Sequence, residues 1–142
     1  MEKLKLIKAQ ATDRDFLFGL RKLTMVEHLE KAGINLSDAE HLSRVNFNYE
    51  CAFVVFKSNK KVGVLKYEER EDTIEILQIQ ILPDYQGQGV GKSLIEDLVT
   101  KSRDLNKRLQ LKVLKENPAK KLYERIGFGI ISQDDDQFLM QL

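Results

Sequence analysis

The stretch Thr73-Ile74-Glu75-Ile76-Leu77-Gln78-Ile79-Gln80-Ile81-Leu82 is apolar nearly throughout, and a few residues later it gives way to Gln86-Gly87-Gln88-Gly89-Val90-Gly91. No other feature restricts the fold as much. A strand of that character needs cover on both faces, which places it at the centre of a sheet. Pro83 ends it, because proline cannot donate to a ladder. Beyond the glycines, Leu94, Ile95, Leu98, Val99 and Leu105 recur at helical spacing over about four turns. Strand, tight turn and helix thus form one unit at the middle of the chain.

The flanking segments supply its partners. Leu4 to Lys8 partly alternates like a strand, and Thr12-Asp13-Arg14-Asp15 offers an acidic cap to a helix carrying Phe16, Leu17, Leu20 and Leu23. Gly33 stops that helix, and Ser37-Asp38-Ala39-Glu40 has the capping-box pattern of a second, carrying Leu42 and Val45. Cys51 to Lys57 and Val62 to Tyr67, joined by Ser58-Asn59-Lys60-Lys61, read as a hairpin, with a charged turn from Glu68 to Asp72. Leu109 to Leu114 alternates as a strand. Asn117-Pro118 caps a last helix that Gly127 ends, and two short strands, near Phe128 to Ser132 and Gln137 to Leu142, flank the acidic turn Asp134-Asp135-Asp136. The expected order is β-α-α-β-β-β-α-β-α-β-β.

With 142 residues, one domain spanning 1–142 is expected. The 23 Lys and Arg nearly balance the 22 Asp and Glu, so a formal charge of +1 gives no field that would recruit nucleic acid nonspecifically. Cys51 is the single cysteine, excluding an internal disulfide, and the opening MEKLKLIKAQ has no apolar core of the signal-peptide kind. A cytoplasmic protein is the expectation. No window approaches the roughly 18 to 20 apolar residues of a membrane span.

The glycine-rich turn carries the chemistry. A strand-to-helix turn aims free backbone N–H groups at one point, and glycines admit φ > 0 while removing Cβ atoms from the approach, so an anion, above all a phosphate, belongs there. A tight turn without ligand is the plain alternative. Gly91-Lys92-Ser93 ends like a Walker loop, but Gln86 stands where that loop needs its first glycine. A dinucleotide fingerprint counted from Gly87 fails in turn, because Lys92 stands where glycine is required.

Gln86-Gly87-Gln88-Gly89-Val90-Gly91 resembles the Q/R-x-x-G-x-G/A pattern of the GNAT acyltransferases, with Ile79 to Tyr85 similar to that family's strand and approach to the loop. Asn117-Pro118-Ala119-Lys120-Lys121-Leu122-Tyr123-Glu124-Arg125-Ile126-Gly127-Phe128 resembles the family's N-x-x-A-x-x-L-Y-x-x-x-G-F helix, with asparagine and tyrosine six residues apart instead of seven. The resemblance is strong over the C-terminal half and rests on element order elsewhere. It implies an α+β, three-layer fold, with a mixed, mostly antiparallel central sheet and helices on both faces. In the family the strands beside the thioester splay apart, so that the cofactor stands in for a missing strand partner. The resemblance also implies acetyl-CoA as co-substrate and no metal. Coenzyme A binding is then expected at Ile79, Gln80, Ile81, Gln86, Gly87, Gln88, Gly89, Val90, Gly91, Lys92, Ser93 and Asn117, with Leu114 on the opposite lip.

The implied reaction is acetyl transfer to a primary amine of a small molecule, peptide or protein. A backbone N–H of the Ile79 to Ile81 segment would hold the oxyanion, and Tyr123 matches the tyrosine that serves the departing sulfur. A phenol of pKa about 10 stays protonated at neutral pH, above the roughly 8.5 of a thiol. Glu75 is the first choice of base, acting through water, and Glu27 and Glu30 are candidates to attract a cationic acceptor. His28 and His41 are weaker candidates. The other readings are an acyl-CoA-binding module without turnover and, more remotely, a nucleotide hydrolase using Gly91-Lys92-Ser93. Oligomeric state is unmarked, and the frequency of dimers in the family leaves a homodimer open.

Overall fold

In the computed structural model, which describes residues 3–142, the chain runs through β1 (Leu4–Lys8), α1 (Arg14–Lys31), α2 (Asp38–Asn46), β2 (Ala52–Lys57), β3 (Lys60–Glu69), β4 (Thr73–Ile81), α3 (Val90–Asp104), β5 (Arg108–Leu114), α4 (Ala119–Ile126), β6 (Gly129–Gln133) and β7 (Gln137–Gln141). This is the order expected from the sequence. The strands form one sheet, β1-β2-β3-β4-β5-β7-β6, in which β4 and β5 are parallel and every other pair is antiparallel. The fold is thus α+β with a mixed, mostly antiparallel sheet.

Two apolar cores show why helices cover both faces. Ile74, Ile76, Leu109, Leu111 and Met140 pack with Leu94, Ile95 and Leu98 of α3 and with Tyr123 of α4. On the other face Val54 and Val64 pack with Leu17 and Leu20 of α1 and Val45 of α2. Leu23, taken with the apolar stripe in the sequence, is instead 65% exposed. The buried stripe of α1 runs through Leu17, Leu20 and Leu29, and a cation, Arg21, occupies it beside Leu20.

Local details follow from turn and cap chemistry. Ser58 and Asn59 both have positive φ (51° and 63°), the geometry of a two-residue hairpin, so β3 begins at Lys60, earlier than the polar run suggests. The capping box at Ser37 and Glu40 forms as expected. Asn117 Oδ1 accepts from the Ala119 N–H at 3.0 Å, fixing the start of α4. Among the described residues no helix is long and apolar enough to cross a membrane.

The sheet is not continuous along its length. β4 pairs with β5 only from Thr73 to Ile76, against Arg108 to Leu111. On the other edge, Lys66 faces Gln78 and Tyr67 faces Ile76, so Leu77 is an extra, unpaired residue of β4. A bulge bends its strand and sharpens the local twist. From Leu77 onward β4 stays with β3 while β5 stays with β7, and the two central strands part.

Candidate active site

The parting strands bound a cavity of about 770 Å³ lined by β4 from Glu75 to Gln80, by Leu114 of β5, by Asn117 and Tyr123, and by residues of α1 and α2. Its β4 wall has free backbone. Leu82 N–H donates to Val62 O at 2.8 Å, and the Gln80 carbonyl lies against Gly63. Strand alternation therefore turns Gln78 and Gln80 toward β3, and turns the N–H and C=O of Ile79 and Ile81 toward the opening. The Ile81 carbonyl is closed by Gln86 Nε2 at 2.9 Å. Ile79 keeps both groups available.

At the end of this wall lies the glycine turn. Gly87 and Gly89 have φ of +75° and +81°, and a Cβ added at either would meet nothing within 4 Å, so an approach to the backbone stands open there. Among the described residues no hydrogen bond is made by the backbone N–H groups from Gly87 through Lys92; Ser93 is the first whose N–H is used, by Gly89 O at 3.0 Å. Gly89 precedes α3 with no side-chain cap. Such a cluster suits a diphosphate. Gln88 faces away from it, its side chain bonded to Lys57 and to Asp84 O, while Val90 is buried in the core. Lys92 lines a second groove, of about 550 Å³, between α3 and α4, together with Arg103 and Arg125. A coenzyme carrying both a phosphate chain and an outlying phosphate fits this donor set.

Tyr123 is only 6% exposed, and no hydrogen bond engages its hydroxyl among the described residues. Its carbonyl accepts from Gly127 and Phe128, which closes α4 and leaves the phenol to the cavity. Burial pushes that phenol up to about 12. Glu75 stands at the shut end of the opening, where its Oε1 accepts from Gln110 Nε2 at 2.8 Å and Arg70 Nη1 at 3.2 Å. Asn117 reaches the cavity, although its side-chain oxygen is used in the α4 cap.

The acetyltransferase (GNAT) family model matches residues 18–128. The chain belongs to the GNAT family. A ribosomal protein bS18-alanine N-acetyltransferase of Haemophilus influenzae is 35% identical over 76 residues, 53% of this chain and 52% of that protein, so the match spans about half the length of this relative. The fold is shared with the PaiA N-acetyltransferase of Thermoplasma acidophilum in complex with coenzyme A (TM-score 0.75, 16% identity, 98% of each chain). It is shared as well with an acetyltransferase of Thermus thermophilus (TM-score 0.75, 22% identity, 100% of this chain and 99% of that one).

Other parts of this GNAT cavity were not read from the sequence. Glu27 and Glu30 are exposed and line no part of it, and Glu27 pairs with Lys31 instead. Arg21 of α1, Arg44 of α2 and Lys66 of β3 line the cavity instead. Lys66 is 1% exposed, and its ammonium donates to the carbonyls of Phe47 (2.6 Å), Val45 (3.1 Å) and Arg44 (3.3 Å), which closes the end of α2. The sequence did hold a sign of it: a lysine within Val62-Gly63-Val64-Leu65-Lys66-Tyr67 breaks an apolar strand. Cys51 lies outside the cavity lining, and burial raises its thiol.

Proposed function

We propose that the protein is an N-acetyltransferase that passes an acetyl group from acetyl-CoA to a primary amine of a small molecule, peptide or protein. The observation that carries this reading is the adjacency along one wall of two unpaired backbone sets, Ile79 on β4 and Gly87 through Lys92 at the head of α3. An extended amide-bearing arm can pair with the Ile79 carbonyl and the neighbouring Ile81 N–H, leaving the Ile79 N–H for the reacting carbonyl, while a diphosphate occupies the second. The groove holding Lys92, Arg103 and Arg125 would take the remaining phosphate.

Acetyl-CoA, when bound, supplies the acetyl group as an activated thioester. The chain's part is to orient and to move protons. The Ile79 N–H is free to hold negative charge developing on a carbonyl oxygen. The Tyr123 hydroxyl, protonated at any ordinary pH, can donate to a departing sulfur. Glu75, through Oε2 and intervening water, receives the proton that the amine must lose. The free Tyr123 hydroxyl supports turnover over binding alone. Among these acceptor classes, a peptide or protein amine has the support of the Haemophilus influenzae relative, which is named for an alanine of ribosomal protein bS18. The cytoplasm is the compartment this reading requires.

Calorimetric titration with coenzyme A, followed by thiol release from acetyl-CoA across a panel of amines, tests the proposal. Binding plus amine-dependent release is expected. Folded protein that fails to bind coenzyme A would overturn it, and binding without release from any amine would leave a binding module.

A further inference from the structure

The α1, α2 and β3 side of the cavity carries Arg21, Arg44 and Lys66, and the carboxylates that line the same cavity, Glu75, Asp134 and Asp136, pair with none of them. Arg21 is 7% exposed, yet no carboxylate lies within ion-pair distance of it among the described residues, and the same holds for Arg44 and Lys66. Arg21 Nε donates to Nδ1 of buried His41 at 3.1 Å, which requires that nitrogen to be unprotonated. Burial and the Arg21 charge both push His41 below its ordinary value, which keeps it a neutral acceptor. With Nε so engaged, the Nη1/Nη2 edge is left, it makes no hydrogen bond among the described residues, and Arg21 lines the cavity. That edge is a fork matched to two oxygens of one anion. Lys66 adds charge but no donor, since its protons go to the three carbonyls at the end of α2. Arg44, exposed at the rim, adds a second donor.

Leaving cations buried together without an anion is costly, and the effect is visible in them: burial and the facing Arg44 lower Arg21 to about 10, and burial and Arg21 lower Lys66 to about 8. An entering anion would relieve this. Building on the acetyltransferase reading, we propose that the acceptor is a small amine bearing a carboxylate, received end-on by Arg21 with Arg44 closing over it. Apolar Met25, Leu29, Leu36 and Phe47 beside the two arginines would accommodate its carbon chain.

The test compares matched acceptors, each amino acid against its own carboxamide, by thiol release with wild-type protein. The acid is expected to exceed the amide in kcat/KM by about ten- to a hundredfold, the worth of one lost charge-assisted hydrogen bond. Arg21→Met should erase that ratio and Arg21→Lys restore part of it, while coenzyme A affinity stays level. Should Arg21→Met fail to fold, Arg44→Gln, at an exposed position, is expected to shrink the ratio as well. A readout independent of turnover is the melting temperature with succinate or succinamide: only the dianion should raise it, and Arg44→Gln should reduce the rise. Equal use of acids and amides, with release still amine-dependent, would overturn the carboxylate site and leave the acetyltransferase reading intact. A preference for acidic peptides over small amino acids would overturn the small acceptor, and absence of coenzyme A binding would remove the underlying reading itself.

Discussion

Ile76 of β4 and Leu111 of β5 are the last parallel partners of the two central strands, and the next residue of β4, Leu77, is the bulge at which the strands part. The two facts are coupled: an extra residue bends β4 on its β3 edge and carries the rest of the strand away from β5. What the sheet loses in hydrogen bonds becomes an open edge, where Ile79 presents an unspent donor and acceptor toward the cavity.

Gly89 and Gly91 predict opposite outcomes in the loop. A Cβ at Gly89 meets no protein atom, but its φ of +81° is a conformation side chains avoid at a cost of about 1–2 kcal/mol. Gly89→Val should therefore rearrange the free N–H groups and weaken coenzyme A about five- to thirtyfold. At Gly91 φ is ordinary and a Cβ would sit 3.9 Å from Leu122 Cδ2, a normal contact, so Gly91→Ala should bind like wild type. Calorimetry on both folded variants decides; equal affinities would make the loop a structural turn.

Tyr123→Phe isolates the phenolic oxygen. The ring packs in the core with Phe128, its centroid 6.1 Å away, so the melting temperature should barely move. If the hydroxyl serves the departing sulfur, kcat should fall about ten- to a thousandfold with coenzyme A affinity unchanged. Because burial raises the phenol to about 12, the wild-type rate should show no alkaline decline owed to this group below about pH 11. Wild-type kcat in the variant would leave Tyr123 a packing residue.

The element order and the two motifs that carry the family resemblance were legible because they are local: apolar period, caps, glycines at positive φ. The parting of β4 from β5 was not derivable from the residues, since Leu77 looks like any other apolar strand residue and becomes a bulge only through the register of β3. The resemblance supplied the splay as a family trait. The cationic wall was hidden for a related reason. Arg21 follows Leu20 on a helix whose apolar stripe was read through Leu23, and only packing against α2 decides which of the two turns inward. Glu27 and Glu30, equally plausible in sequence, turn out to solvent.

Glu75→Gln tests the base. The carboxylate already accepts from Gln110 and Arg70 through one oxygen, and the amide keeps the shape while losing the basic site. Turnover of a lysine-like amine should fall more at neutral than at alkaline pH, where solution supplies the deprotonated amine. A loss of equal size at pH 7 and pH 10 would assign Glu75 to holding β4 and β5 together at Gln110.

Lys66 makes the protein's stability rise with pH. Burial and the nearby Arg21 lower its ammonium to about 8, whereas the unfolded chain titrates it at its ordinary 10.5. Between those values the unfolded state holds a proton the folded state has released, so this group's contribution to stability rises with pH. At about 1.36 kcal/mol per unit the gain from pH 7 to pH 10 is about 2.5 kcal/mol. Cys51 and Tyr123 act oppositely at the alkaline end, because burial raises both and the unfolded chain ionises them first. The difference between wild type and Lys66→Met removes Tyr123's contribution and all of Cys51's except the part owed to the nearby Lys66 charge. At neutral pH the variant loses three hydrogen bonds to the end of α2 but also a buried charge, so the sign of its offset there decides nothing. The slope decides. Urea unfolding of both proteins at pH 7, 8, 9 and 10 should show wild type gaining about 2.5 kcal/mol on the variant across the series, most of it above pH 8. Parallel stability curves would mean that the carbonyls of Arg44, Val45 and Phe47 fully compensate the ammonium for its burial.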